Sequence, residues 1–283
     1  MGRHIVYSEA VNRRLREEGR GKGEGADYVP WLLCDDFPSK GRSHRIPDPY
    51  NHRIHHFFSD LEARYYYYLC WSKRILDVRE QYPLSPERTL AIADRLGVKH
   101  PRNKDGSLFV MTTDFLLTVH TEDDNEKYLA RSVKRREDIM SDNKRLKEKL
   151  QIEATYWISL GVEWKIVTEE SFSRTMADNA KHLLSRYNDP LPPNHEEMRI
   201  ILFRQMSQQK SNTLANVCTE VDDLLEQDPG TALRFVFYLA AHRELTFDMN
   251  TPIRASNLIK NIIDTSLIDN YLRREGELNA TSG

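Results

Sequence analysis

Cysteine is scarce and scattered in this chain. Its three thiols, Cys34, Cys70 and Cys218, are odd in number and far apart. That excludes a disulfide framework or a zinc knuckle and predicts reduced thiols in a cytosolic protein. Long apolar runs are missing as well: none approaches the roughly 18 residues that a membrane-spanning helix requires. The opening Met1-Gly-Arg-His-Ile-Val lacks the apolar core of a secretory signal, and Val6 stands where a myristoylation motif needs serine or threonine. An excess of either charge is absent too, since 41 Lys and Arg against 43 Asp and Glu leave a net −2. Nucleic-acid binding therefore has to rest on local basic patches rather than on the whole chain. There is no internal repeat or low-complexity segment.

What is present suffices for folded domains. At 283 residues, 39% hydrophobic and 30% charged, the chain can bury a core, keeps a solvated surface, and reads as two domains. The first is organised around Leu108 to Val119, an apolar run rich in β-branched residues that suits a buried strand but carries Asp114. An ionised carboxylate there loses hydration unless a cation or hydrogen-bond donors replace it. After the polar turn His120 to Glu126, the run Lys127 to Lys134 is predicted to return as the second arm of a hairpin. Side chains two apart share a strand face, so Ser132 and Lys134 point alike, and pairing can bring them to Asp114. On this evidence the pair reads either as a buried structural ion pair or as half of a metal-assisted phosphodiesterase centre.

Around this hairpin the pattern predicts a helix from about residue 8 to 19, a strand Ile75 to Pro83, and a helix Ser85 to Leu96 with Gly97 beyond its end. A long amphipathic helix is expected from Arg135 to Leu160, and a strand over Val162 to Thr168. Ser59-Asp-Leu-Glu62 has the form of a capping box opening another helix, with Glu62 reaching back to the Ser59 amide. Of the four consecutive tyrosines Tyr65 to Tyr68, at least two belong to the core. The cluster His52-Arg-Ile-His55-His56 has no metal-ligand spacing.

The glycine-rich stretch Gly21 to Asp27 is loose enough for close approach to a partner. Beyond it, Tyr28 to Arg53 reads as an irregular arm mixing Trp31 with Lys40, Arg42, Arg45 and Arg53. Such an arm suits either a nucleic-acid backbone or packing on its own domain. From Glu169 onward, helices at 171–187, 195–209, 212–227 and 231–242, then a short strand at 244–249, suggest a winged-helix layout. The helix Thr231 to His242 carries only Arg234 among apolar residues, so it is read as core, and the domain as protein-binding rather than DNA-reading.

Taken together, these stretches resemble TnsA, the endonuclease subunit of heteromeric Tns-type transposases. The resemblance is carried by Glu18 to Trp31, Pro38 to Ile46, His55-His-Phe-Phe-Ser-Asp-Leu-Glu62, Leu76-Asp-Val-Arg-Glu-Gln-Tyr-Pro-Leu84, Thr113-Asp-Phe-Leu116 and Val133-Lys134. It implies an α/β chain: a restriction-endonuclease-like mixed sheet flanked by helices over residues 1–168, then a mainly helical, winged-helix-like domain over 169–283. It further implies Glu62, Asp114 and Lys134 as catalytic residues, with magnesium (manganese substituting) on Glu62, Asp114 and the Val133 carbonyl. Glu153 matches a further helix acid. Ser132 departs from the family, which often has glutamine two residues before the lysine.

DNA contacts are expected from Lys40, Arg42, Arg45, Arg53, Arg135 and Arg136, the arm serving as a backbone clamp. The implied activity is cleavage of transposon 5′ ends in the bacterial cytoplasm, at the nucleoid. A TnsB-type transposase would cut the 3′ ends, and a TnsC-type ATPase would engage the second domain. The alternative is a catalytically silent assembly adaptor; a free-standing restriction or repair nuclease is a third reading.

Overall fold

The computed structural model describes residues 6–36 and 42–281, with side chains as far as Arg274. The chain divides between Phe172 and Ser173 into two compact units. Each forms its own core.

The first unit opens with α1 (Glu9–Glu17), whose Ser8 side chain accepts from the Val11 amide. A hairpin follows, β1 (His44–Pro47) with β2 (Ile54–Phe57), inside the stretch expected to be irregular. Its prolines sit at the end of β1 and in the connecting turn, where no ladder hydrogen bond is lost. Next come α2 (Asp60–Cys70), β3 (Ile75–Pro83) and α3 (Pro86–Leu96). Gly97 ends α3 at φ 65°, a left-handed conformation that glycine adopts without a Cβ penalty. The central hairpin is β4 (Thr112–His120) and β5 (Glu126–Val133).

The long helix expected over 135–160 is broken into α4 (Arg136–Met140) and α5 (Lys144–Ser159). Ser141 turns extended between them, and the Asn143 side chain caps α5 by accepting from the Leu146 amide. Asparagine competes for backbone hydrogen bonds in that way, so a helix end displaced a helix interior. Finally β6 (Glu163–Val167) completes a four-stranded sheet ordered β3-β4-β5-β6. The first three strands pair antiparallel and β6 runs parallel to β5, as a helical crossover requires.

Both faces of this mixed sheet are covered. Leu116 and Ala130 pack with Ile92 and Ala93 of α3 and with Ile152, Tyr156 and Trp157 of α5. On the opposite face, Phe115 meets Phe57 (ring centroids 5.5 Å apart) and Tyr65 of α2 (5.3 Å). Tyr65 and Tyr66 are buried, while Tyr67 and Tyr68 are only partly so.

Two of the glycines in the stretch Gly21 to Asp27 are required by the packing of the unit itself. Gly21 and Gly23 both take positive φ; a Cβ on Gly21 would run into the Pro83 ring and one on Gly23 into the Asp27 carbonyl. Tyr28 and Trp31 are buried just after them, and Arg20 is ion-paired with Asp36.

The second unit is mainly helical: α6 (Arg174–Leu184), α7 (His195–Gln208), α8 (Leu214–Leu224) and α9 (Thr231–Ala241). A two-residue ladder then joins β7 (Thr246–Phe247) to β8 (Ile263–Asp264), with α10 (Ile259–Ile262) before β8 and α11 (Ser266–Thr281) after it. Phe235, Val236, Leu239 and Ala240 of α9 are buried, so that helix is core. Among the described residues no helix is long and apolar enough to cross a membrane.

Candidate active site

Antiparallel pairing of Phe115 with Arg131 brings Asp114 to the end of β5. There Asp114 Oδ2 accepts from the Val133 amide at 2.6 Å and from the Lys134 ammonium at 2.6 Å, with the Ser132 hydroxyl at 3.4 Å. Its other oxygen, Oδ1, receives no hydrogen bond in the described structure. The same ammonium donates to the Val133 carbonyl at 2.8 Å, while the Lys134 amide donates to Val167 of β6. Burial works against the Lys134 charge, but Asp114, Glu153 and Glu62 outweigh it and raise its pKa.

Glu62 sits in the first turn of α2, buried, and does two things at once. Its amide donates to Ser59 Oγ at 3.1 Å, as a capping box requires. Its carboxylate accepts from the Ser59 hydroxyl at 2.7 Å and from the Phe58 amide at 3.1 Å, one residue earlier than expected. Burial, and then the nearby charge of Asp114, push its carboxyl up to about 7. Glu153 on α5 is held by the Trp164 indole at 3.1 Å and likewise lifted to about 7 by burial and by Asp114. The structure thus gathers Glu62, Asp114, Ser132, Val133, Lys134 and Glu153 in one place. A cleft of about 590 Å³ opens onto it, lined by Ser59, Glu62, Arg64, Val133, Lys134 and Arg135.

Among the described residues no three His, Cys, Asp or Glu side chains form a ready-made metal cage. The donors nonetheless fit a hard cation of the magnesium type. Such an ion needs only one or two protein carboxylates and takes its remaining oxygens from water and phosphate. Glu62 and Glu153, whose carboxyls are raised by burial and then by the charge of Asp114, mark a site short of positive charge. The Asp114 Oδ2 and Val133 oxygens already converge on one cation, the lysine's own.

Two family models match the chain, the first over the stretch that carries Asp114, Lys134 and Glu153 but beginning after Glu62, the second within the second unit. Residues 72–169 match the TnsA-like endonuclease N-terminal domain, and residues 173–249 the TnsA endonuclease C-terminal domain. The Tn7 transposition protein TnsA of Escherichia coli is 34% identical over 250 residues, covering 88% of this chain and 90% of that protein. The chain belongs to the TnsA endonuclease family.

One residue of this TnsA-family site escapes sequence reasoning. Gln81 stands level with Asp114, between the pairs Glu80–Phe115 and Tyr82–Thr113. It has φ 50°, a strained value for a residue with a Cβ, and its carbonyl leaves the sheet to accept from the Trp31 amide. Its buried side chain places Nε2 3.4 Å from Glu62 Oε2, while its Oε1 accepts from Thr112 Oγ1 at 3.2 Å. Its signal in the sequence is a polar Glu80-Gln81 step in a strand-like run, inside the stretch Leu76 to Leu84 that carries the family resemblance.

The expected DNA contacts are placed less uniformly. Lys40 lies outside the described residues. Arg53 is no surface cation: it is buried, with its guanidinium 2.8 Å from Glu80, because that carboxylate inside the unit needs a counter-charge. Arg42 is exposed. Arg45, Arg135 and Arg136 are exposed but matched by Asp35, Glu137 and Glu170. In the histidine cluster, His55 lies between Asp48 (3.1 Å) and Glu80 (2.9 Å).

Proposed function

We propose that this chain is the subunit that cuts the 5′ ends of a transposon by magnesium-dependent phosphodiester hydrolysis. A TnsB-type transposase would cut the 3′ ends, and a TnsC-type ATPase would regulate both. The observation that carries the chemistry is the single cation position shared by Asp114 Oδ2 and the Val133 carbonyl, beside a buried Glu62. Glu62, Asp114 and the Val133 carbonyl would hold the ion, which supplies charge stabilisation to the phosphate and acidifies water. Lys134, which lines the cleft, would steady the attacking water and the phosphate charge with its ammonium. Glu153 keeps that ammonium charged from beneath, and Trp164 fixes Glu153. Ser132 contributes a weak hydroxyl contact to Asp114 rather than an ion ligand.

We assign the first unit a restriction-endonuclease-like fold and the second a winged-helix-like one that docks the TnsC-type regulator. The buried α9 supports this, since a helix spent on the core has no charged face to offer phosphates. The protein would work in the bacterial cytoplasm, at the nucleoid. The test is strand-specific: a transposon-end duplex labelled on each strand, incubated with this chain and its TnsB-type partner in magnesium. Cuts at the 5′ ends that vanish with Asp114→Ala, while 3′ cuts persist, are expected. Unchanged 5′ cutting would refute the proposal and favour a silent adaptor.

A further inference from the structure

The cations expected to meet DNA are largely answered by acids, but another set is not. An open groove of about 690 Å³ lies between the turn after α3 and the start of α5, lined by the cations Lys99, Arg102, Lys144 and Arg145 and by the two acids Asp94 and Glu148. The turn is anchored: buried His100 lies 2.9 Å from Thr89 Oγ1 and 2.7 Å from the Pro101 carbonyl. Arg145 is spent on structure, donating to the Lys99 carbonyl and to Glu148 at 2.9 Å. Arg102 likewise donates to the Gly106 carbonyl at 2.8 Å. The ammonium groups of Lys99, Lys144 and Lys149, all exposed, make no hydrogen bond or ion pair in the described structure.

These lysines lead to the catalytic residues. Arg145, Lys149 and Glu153 recur every four residues and so share one face of α5. Although Lys149 as a residue is exposed, desolvation by the chain around it, then the charges of Arg145 and of Lys134, depress its pKa, so it sits within electrostatic reach of both. Like charges set in a row repel, and an anion laid along them removes that cost. From Lys144 to Glu153 the helix advances about 13 Å at 1.5 Å per residue, roughly four steps of one DNA strand at 3.4 Å each.

We propose that this groove and the α5 face leading from it carry the phosphate backbone of the DNA flanking the cleavage point, through Lys99, Lys144 and Lys149. The inference rests on the nuclease reading above for its direction toward Lys134, but the surface itself is defined by its unpaired charge. The lysines place the duplex by backbone charge without reading sequence.

The experiment uses the full chain and a fluorescein-labelled transposon-end duplex, with binding followed by anisotropy from 50 to 200 mM salt. Combining Lys99→Ala, Lys144→Ala and Lys149→Ala should weaken binding at least tenfold at low salt. It should also reduce the slope of log affinity against log salt by about 2–3, since each phosphate contact contributes about 0.9. The corresponding triple arginine variant keeps the charge and should bind like the unsubstituted chain. Asp114→Asn should bind normally and not cut, so a failed nuclease reading is told apart from a failed binding surface. An unchanged slope in the alanine variant, or no salt-dependent binding by the unsubstituted chain, overturns the proposal. So does loss of assembly with the TnsB-type partner at an unchanged DNA slope, which would assign the groove to an acidic protein segment.

Discussion

The Lys134 ammonium lies 2.6 Å from Asp114 Oδ2; Asp114 is in β4 and Lys134 directly follows β5, so the two meet only through the register of those strands. A one-residue slip would turn Lys134 to the other face of the sheet. The pair is partly buried, with the side chains 26% and 15% exposed, so it is dry enough for the charges to count yet open to the cleft. A purely structural ion pair gains nothing from such an opening.

Replacing Lys134 separates structure from chemistry. Lys134→Met keeps much of the side-chain volume and removes the charge. In the cleavage assay with the TnsB-type partner it should lower 5′ cutting by about 10²–10³-fold, the usual loss when one electrostatic stabiliser is removed. Magnesium affinity, measured calorimetrically, should not fall, because the ammonium competes for two of the proposed ligand oxygens. Weaker magnesium binding in Lys134→Met would contradict this arrangement.

Glu62 carries both a cap and a carboxylate, and glutamine divides them. Glu62→Gln can still accept from the Phe58 amide through one oxygen, and the Ser59 cap to the Glu62 amide is untouched. It should melt within a few degrees of the parent, since the lost charge near a helix start is worth only about 0.3–1 kcal/mol. Cleavage at millimolar magnesium should nearly vanish, with partial recovery in manganese. Normal cleavage by Glu62→Gln would leave Glu62 as a cap alone.

Gln81 is expected to position Glu62 rather than to touch substrate. Gln81→Gly relieves the φ 50° backbone, a strain of about 1–3 kcal/mol, and should melt at or above the parent temperature. It also removes the amide facing Glu62, so cleavage at limiting magnesium should drop about tenfold and recover as magnesium is raised. A uniform loss at every magnesium concentration would point to a different role.

Stability should depend on pH through the buried set Asp48, Arg53, His55 and Glu80. Burial opposes the Glu80 charge, but His55 and Arg53 overcome it and hold its carboxyl down to about 2. Against burial again, the His55 ring and the Asn51 and Tyr50 amides bring Asp48 to about 2. Both acids bind their protons less tightly folded than unfolded, so their contribution is complete above about pH 4.5 and lost as pH falls toward 2. His55 moves the other way: burial lowers its pKa, but Glu80 and Asp48 raise it further. Its contribution is complete below about pH 6.5 and lost as pH rises through the higher folded value. In urea unfolding of the full chain, Glu80→Gln should cost about 3–5 kcal/mol at neutral pH and progressively less toward pH 3. His55→Gln should flatten the alkaline decline. A Glu80→Gln cost independent of pH would contradict the assignment.

The sequence by itself determined the family and most of the elements. Alternation and β-branching mark β3, β4 and β5, and caps such as Ser59, Ser85 and Gly97 mark helix ends, because these signals are local and survive without tertiary context. Asp114, Lys134 and Glu62 were named as candidates from long motifs, and the structure brings them together. Tertiary structure decided where charge is spent, since burial and pairing are properties of neighbours that no local pattern encodes. Arg53 looks like any other arm arginine until Glu80 is found beside it, and Lys149 looks like a solvated helix lysine until the charges of Arg145 and Lys134 are found to act on it. Gln81 is likewise invisible as a site residue, because its left-handed backbone follows from the Trp31 amide that draws its carbonyl out of the sheet. The pattern over 135–160 reads as one helix, and the break between α4 and α5 follows from the extended Ser141 and the cap made by Asn143.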